Sequence, residues 1–210
     1  VRKLWQSMPP MPQGEPVRVQ AGMSPAGKSF AGSVAEVMFT VAKDRESAIA
    51  FRKELRALVG EHGRDPERLR ILPGIAPIIG GTEAEARQVE ARYLELLHPN
   101  IQLAMLSDLY GLDFSRYSMD APLPMDDIRR APKVLSGARD PDRLIDTSKG
   151  VPTLAEYLRQ LARARAHKSF VGTPEQLADF IDDWSAQGAC DGFNLMFPVQ
   201  SDGLPTFVEH

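Results

Sequence analysis

The sequence has a single cysteine, Cys190, among its 210 residues. No disulfide can close within the chain, which fits a reducing compartment and makes the cytoplasm the expected location. Hydrophobic runs are short, and none approaches the roughly 18 residues that a membrane-spanning helix needs. The opening Val1-Arg2-Lys3-Leu4-Trp5 has no apolar signal core. Aromatic residues make up only 7% and are scattered, so no base-stacking platform is visible. The formal charge is −3 with both signs interspersed. Neither a basic tract for nucleic acid nor an acidic tail is present. The Gly-x-Ser-x-Gly elbow and the Gly-x-Gly-x-x-Gly loop are both missing, which disfavours hydrolase and dinucleotide-binding readings. His62, His98, His167 and His210 are the only histidines. None stands at a metal-ligand spacing from Cys, Asp or another His.

What is present is the composition of one globular domain, 43% hydrophobic and 25% charged. A complete (β/α)₈ barrel is usually longer, about 250 residues. Pro9, Pro10, Pro12, Gly14 and Pro16 form a punctuated linker that cannot be helical. Strands are then expected to begin near Pro16, Glu36, Leu69 and Gly192. The third carries two prolines, Pro73 and Pro77, and is expected to be irregular or bulged. Between the strands lie helices with recognisable starts. Ser24-Pro25 pairs an N-cap with Pro at the first helical position, and Thr82-x-x-Glu85 and Thr173-x-x-Gln176 are capping boxes. Residues 45–61 carry Ala48, Phe51, Leu55, Leu58 and Val59 at helical spacing. Residues 98–166 break this alternation with loops and a helix over 153–166, and read as an insertion. Four strand–helix alternations predict a parallel α/β architecture.

The stretch Gln20-Ala-Gly-Met-Ser-Pro-Ala-Gly27 has the order that a phosphate site requires: strand, glycine turn, helix start. Gly22 leaves room for a ligand, and the amides of Ser24, Ala26 and Gly27 lie where a helix concentrates partial positive charge. The Ser24 hydroxyl either donates to a phosphate oxygen or only caps the helix.

The segments PVRVQAGMSPAGKSFAGSVAEVMFT, ILPGIAPIIGGTEAEA, LSDLYGLDFSRYSMDAPLP and VGTPEQLADFIDDWSAQGACDGFNLMFPV resemble, in this order, the nitrilotriacetate and dibenzothiophene-sulfone monooxygenase group of the bacterial-luciferase superfamily. The resemblance implies a luciferase-like TIM barrel, (β/α)₈, of which this chain is the C-terminal half, about four β/α units. It further implies FMNH₂ supplied by a separate flavin reductase, O₂ as co-substrate, one oxygen atom inserted into a small organic substrate, and a homodimer. The family's QAGxSxxG segment meets the FMN phosphate. It maps here onto Gln20, Ala21, Gly22, Ser24 and Gly27, with Met23 contributing its backbone amide. Met23 departs from the small polar residues frequent at that position. The connection between Trp5 and Gln13 is shorter than in the family, and the family's earlier strands have no counterpart. The chain alone is therefore expected to bind flavin weakly, its open sheet leaving an edge and half the pocket exposed. The alternative from another class is a truncated, non-catalytic remnant that serves as a binding module.

Several further residues carry a sharper and a plainer reading. Thr173–Gln176 frames a second anion site or simply caps its helix. Phe193, Leu195, Met196 and Phe197 line a channel or fill a core. Asn194 stands out as a polar residue inside an apolar strand and needs a partner. His167 precedes the last barrel unit and is expected near the insertion. Cys190, without basic neighbours in sequence, is expected to be a buried inert thiol. For the dimer, the helix faces at Phe51/Leu55 and Tyr93/Leu97 are the candidate interfaces.

Overall fold

The computed structural model of the chain describes residues 12, 14–42, 44–131, 145, 147, 150–164, 167–198 and 200–209. Most of the proline linker and the Trp5–Gln13 connection lie outside these residues.

Five strands and eight α-helices follow one another along the described chain, four of the helices in a row between β3 and β4: β1 (Val19–Gln20), α1 (Pro25–Val34), β2 (Val37–Thr40), α2 (Arg45–Glu61), β3 (Arg70–Ile79), α3 (Glu83–Glu95), α4 (Pro99–Tyr110), α5 (Met125–Arg130), α6 (Leu154–Ala164), β4 (Lys168–Gly172), α7 (Pro174–Ala186), β5 (Asn194–Leu195) and α8 (Gln200–Glu209). Every pairing between these strands is parallel. The helix starts follow the sequence signals. Ser24 caps α1, and both capping boxes close reciprocally at Thr82/Glu85 and Thr173/Gln176. The Thr173 and Gln176 side chains are thus used in capping.

β3 organises the sheet. Its first four residues pair with β2, from Val37↔Arg70 to Thr40↔Pro73. Beyond the end of β2, residues Ile75–Ile79 pair with β4. Ile75 also pairs with Leu195 of β5, so β4 and β5 lie on opposite edges of β3. β4 is a strand that sequence patterning misses, because Lys168–Gly172 is short and gains its ladder only from the overhang of β3. The bulge expected in β3 is absent, and Pro73 and Pro77 sit fully buried in a continuous strand. Alternation along the strand turns both imide nitrogens to the edge where the Ile71 and Ile75 carbonyls accept from Asp191 and Met196. Proline has no N–H to donate there, which keeps the β5 ladder down to Asn194–Leu195.

One face of the sheet carries the helices. Met38, Leu69 and Ile71 bury against Ala31 and Ala35, which flank the end of α1, and against Leu55 and Val59 of α2. Each such side chain stabilises by about 1.5–3 kcal/mol. Trp184 and Phe180 of α7 close over Phe193, with ring centroids 5.7 Å apart in both pairs. The α1 C-terminus is satisfied from a distance: the Arg64 guanidinium donates to the Gly32 and Ala35 carbonyls at 2.7 and 2.6 Å. A separate core, including Leu106, Phe114, Ile128, Leu154 and Tyr157, knits α4, α5 and α6 together.

The helix faces expected to form a dimer are used within the chain. Leu55 is fully buried, Phe51 packs on the same core, and the Tyr93 hydroxyl donates to the Ala162 carbonyl at 2.9 Å. The exposed apolar residues nearby are instead Leu96, Ile101 and Met105.

Candidate cofactor site

The turn from β1 into α1 is built by a close contact of two glycines. A Cβ on Gly27 would stand 2.6 Å from the Gly22 carbonyl oxygen, and one on Gly22 would stand 3.3 Å from the Gly27 Cα. Only glycine at 27 lets the helix start this near the strand end. Gln20 folds its carboxamide back, and its Oε1 accepts from the amides of Ala21 and Gly22 at 2.7 and 3.2 Å. Ser24 Oγ accepts from the Gly27 amide at 3.1 Å. Of the Ser24, Ala26 and Gly27 amides expected to face a ligand, that of Gly27 is engaged inside the turn, as are those of Ala21 and Gly22.

What the turn offers outward is a set of donors. Ala26, at the second helical position, has no acceptor within the helix. The Ser24 hydroxyl receives the Gly27 amide through a lone pair and keeps its proton for a further acceptor. With Oε1 occupied, Gln20 keeps its Nε2 as a donor beside Gly22. The first turn of α1 carries no acidic residue. An all-donor lining at a helix N-terminus fits the phosphate of FMN. Capping and phosphate donation by Ser24 are compatible, because they use different parts of the hydroxyl. The Met23 side chain takes no part. It packs against the α1/α2 core, and its Sδ accepts from the Val41 amide at 3.5 Å.

On the face of β2 and β3 opposite α1 and α2 lie Phe39, Leu72 and Gly74, the residues that alternate with those packed on the two helices. His167 lies here. Its imidazole stacks on Phe39 at 5.2 Å and 17°. A Cβ on Gly74 would stand 2.4 Å from its Nδ1. Asn194 pairs in register with Gly74 and, being next to the α7-facing Phe193, points to this same face, where it is exposed.

The other sequence candidates are structural. Phe193 packs on α7 and Phe197 on Phe207. His98 caps α4, its Nδ1 accepting from the Asn100 amide, and His62 caps the end of α2. Burial pushes the Cys190 thiol above its ordinary pKa. Among the described residues no cluster of His, Cys, Asp or Glu could hold a metal ion, and no helix is long and apolar enough to cross a membrane.

The family model for luciferase-like monooxygenases matches residues 5–190. The chain belongs to this family. A luciferase-like relative, N-acetyl-S-(2-succino)cysteine monooxygenase of Bacillus subtilis, is 40% identical over 94% of the chain and 45% of its own length. Nitrilotriacetate monooxygenase component A of Aminobacter aminovorans is 33% identical over 96% and 44%. Among solved structures, DmoA from Hyphomicrobium sulfonivorans superposes with a TM-score of 0.80 at 27% identity, over 97% of this chain and 42% of that one. Riboflavin lyase RcaE, solved with modified FMN and riboflavin, reaches 0.71 at 25% identity, over 95% and 42%. The chain therefore spans about half the length of the curated luciferase-like relatives it matches.

Proposed function

We propose that the protein carrying this chain is a two-component monooxygenase that uses FMNH₂ and O₂ to insert one oxygen atom into a small organic substrate. The reading places the chain in the C-terminal half of a (β/α)₈ barrel, about four β/α units, with residues 98–166 as an insertion between units. It includes a flavin reductase as partner, a homodimer and a cytoplasmic location. The observation that carries it is the donor-lined turn after β1, held by the Gly22–Gly27 contact, in a chain of the luciferase-like family.

The residues have separate tasks. Ala26 N–H, Ser24 Oγ–H and Gln20 Nε2 would hold the phosphate, helped by the α1 dipole. Gly22 and Gly27 set the approach of helix to strand. Phe39 and Leu72, on the face opposite α1 and α2, would give the flavin an apolar floor that excludes water from the reaction. Bound reduced flavin supplies the activation of O₂.

Ser24→Ala tests the assignment. It removes one charge-assisted hydrogen bond of roughly 1.5–3 kcal/mol, so FMN affinity, read by fluorescence quenching, is expected to fall about tenfold or more. Loss of the cap is expected to reduce stability by about 1 kcal/mol, read as Tm without flavin. A lower Tm with unchanged FMN affinity would leave Ser24 a cap and remove it from the site. Absence of flavin binding in the whole protein would favour the non-catalytic binding module.

A further inference from the structure

We propose that the outward face of α4 is the surface on which two copies of this chain meet, antiparallel, with His98 of each donating to Asp108 of the other; this deepens the homodimer of the reading above and is independent of the flavin site.

α4 turns Leu103, Leu106, Leu109 and Tyr110 toward the core that it shares with α5 and α6. Its opposite side carries Ile101, Ala104, Met105 and Asp108, all exposed, and spacings of three and four residues gather them into one stripe. Ile101 is 63% exposed and Met105 52%, and Leu96, shortly before the α4 cap, is 79%. A lone exposed apolar residue is ordinary, but large apolar side chains clustered on one face mark a contact surface. Asp108 is the only charged residue of α4, so nothing charged interrupts the stripe between Ile101 and Met105.

The stripe is complementary to itself. Ile101 and Met105 lie two residues either side of position 103, and His98 and Asp108 lie five residues either side of it. One two-fold axis at that level, perpendicular to α4, sets Ile101 against the partner's Met105 and His98 against the partner's Asp108, and the reverse, as an isologous contact requires. A different protein, or another part of the same one, imposes no such centre of symmetry.

Polarity at the two ends agrees with this arrangement. His98 Nδ1 accepts from the Asn100 amide at 3.2 Å, so the neutral ring carries its proton on Nε2. The Asp108 carboxylate has no hydrogen bond or ion pair among the described residues. It stands in the last turn of α4, where the helix dipole disfavours a negative charge. Antiparallel docking exchanges that setting for the N-terminus of a second α4, which favours an anion, and adds a charge-assisted hydrogen bond from the imidazole.

Sedimentation velocity on the whole protein with FMN, over a micromolar concentration series, tests the contact, with FMN affinity and Tm recorded on the same samples. Ile101→Glu and Met105→Glu place a charge in the apolar centre, and each is expected to weaken self-association about a hundredfold or more, halving the parent's mass. His98→Asp keeps a good N-cap but sets two carboxylates together, and Asp108→Lys sets an ammonium at a helix N-terminus. Each is expected to weaken the dimer about tenfold. The double variant pairs Lys with Asp across the axis and is expected to return to within about threefold of the parent. Glu variants that keep the parent's mass overturn the proposal, and so does a double variant no tighter than its two single variants. If the Glu variants lose their fold, the charge exchange decides: restoration supports the contact and its absence overturns it. A monomeric parent overturns the contact together with the homodimer, whereas a parent that dimerises but fails to bind FMN overturns the monooxygenase reading alone.

Discussion

Replacing Asp191 by Asn is expected to lower the stability of the fold by about 3 kcal/mol. The Asp191 carboxylate precedes β5, with only 7% of the side chain exposed, and joins three elements. It accepts from Arg52 Nη2 at 2.8 Å and Arg56 Nη2 at 3.2 Å, both on α2, and from the Ile71 amide of β3 at 2.9 Å. Asn keeps an oxygen for the Ile71 amide but turns an NH₂ toward a guanidinium. Two charge-assisted bonds of roughly 1.5–3 kcal/mol each are lost, and two cations remain partly buried. Arg52 and Arg56 are 21% and 16% exposed, so water recovers part of the loss, and Arg56 keeps its bond to Glu67. For a chain of this size, about 3 kcal/mol corresponds to a fall in Tm of about 6–12 °C. Urea denaturation at pH 7 measures the gap directly. Its pH dependence gives a second check. Burial pushes the carboxyl up, but the Arg52 hydrogen bond, the Ile71 amide and the charges of Arg52 and Arg56 outweigh it and hold the pKa below the ordinary carboxylate value. A lowered folded-state pKa contributes stability that is fully present above the unfolded value, about 3.9, and is lost as pH falls through the folded one. The gap between parent and variant is thus expected to stay constant from pH 7 to about 5 and to narrow below about 4. A gap under about 1 kcal/mol at pH 7, or one that closes between pH 7 and 5, would refute the reasoning.

Arg64→Ala removes the donor that satisfies the last carbonyls of α1 and is expected to destabilise by about 1–2 kcal/mol, read by thermal melting. Lys at that position, a single-point donor, should restore only part of this. Gly27→Ala drives a methyl into the Gly22 carbonyl, backbone against backbone. It is expected to lower Tm and abolish FMN binding together, whereas preserved affinity would mean the turn can open without loss of the site. Cys190, 4% exposed and with its thiol pKa raised by burial, is expected to react with a disulfide reagent at pH 8 only as fast as the protein unfolds.

The helix starts were legible in the sequence because caps are local. Ser24 reaches Gly27, Thr82 reaches Glu85 and Thr173 reaches Gln176, each within three residues. The starts of β2, β3 and β5 were legible from apolar runs, and the close turn from β1 into α1 from Gly22 and Gly27. What escaped depends on partners far along the chain. Asp191 meets Arg52 across 139 residues and Ile71 across 120, and nothing near Asp191 announces either. β4 exists because β3 outruns β2, a length difference that no pattern within Lys168–Gly172 encodes. His167 was noticed, but its ring position follows from Phe39 and from the missing side chain of Gly74. Met23 was named for its backbone amide alone, and where its side chain goes, into the α1/α2 core, is set by residues far along the chain.

The two prolines of β3 have a consequence for aggregation. An edge that presents alternating N–H and C=O groups is a template on which a foreign strand can zip up. Pro73 and Pro77 remove two donors, on either side of Ile75, from one edge of the longest strand in the sheet, while the carbonyls of Ile71 and Ile75 remain to accept from Asp191 and Met196. An intruding strand there would leave its own carbonyls without donors in a buried setting, a penalty of about 1–3 kcal/mol for each unmet group. The short native partner loses little by the arrangement, since Asp191 supplies its carboxylate to the Ile71 amide from outside the ladder. The most apolar segment of the sheet is in this way selective about its neighbours before any side chain has packed.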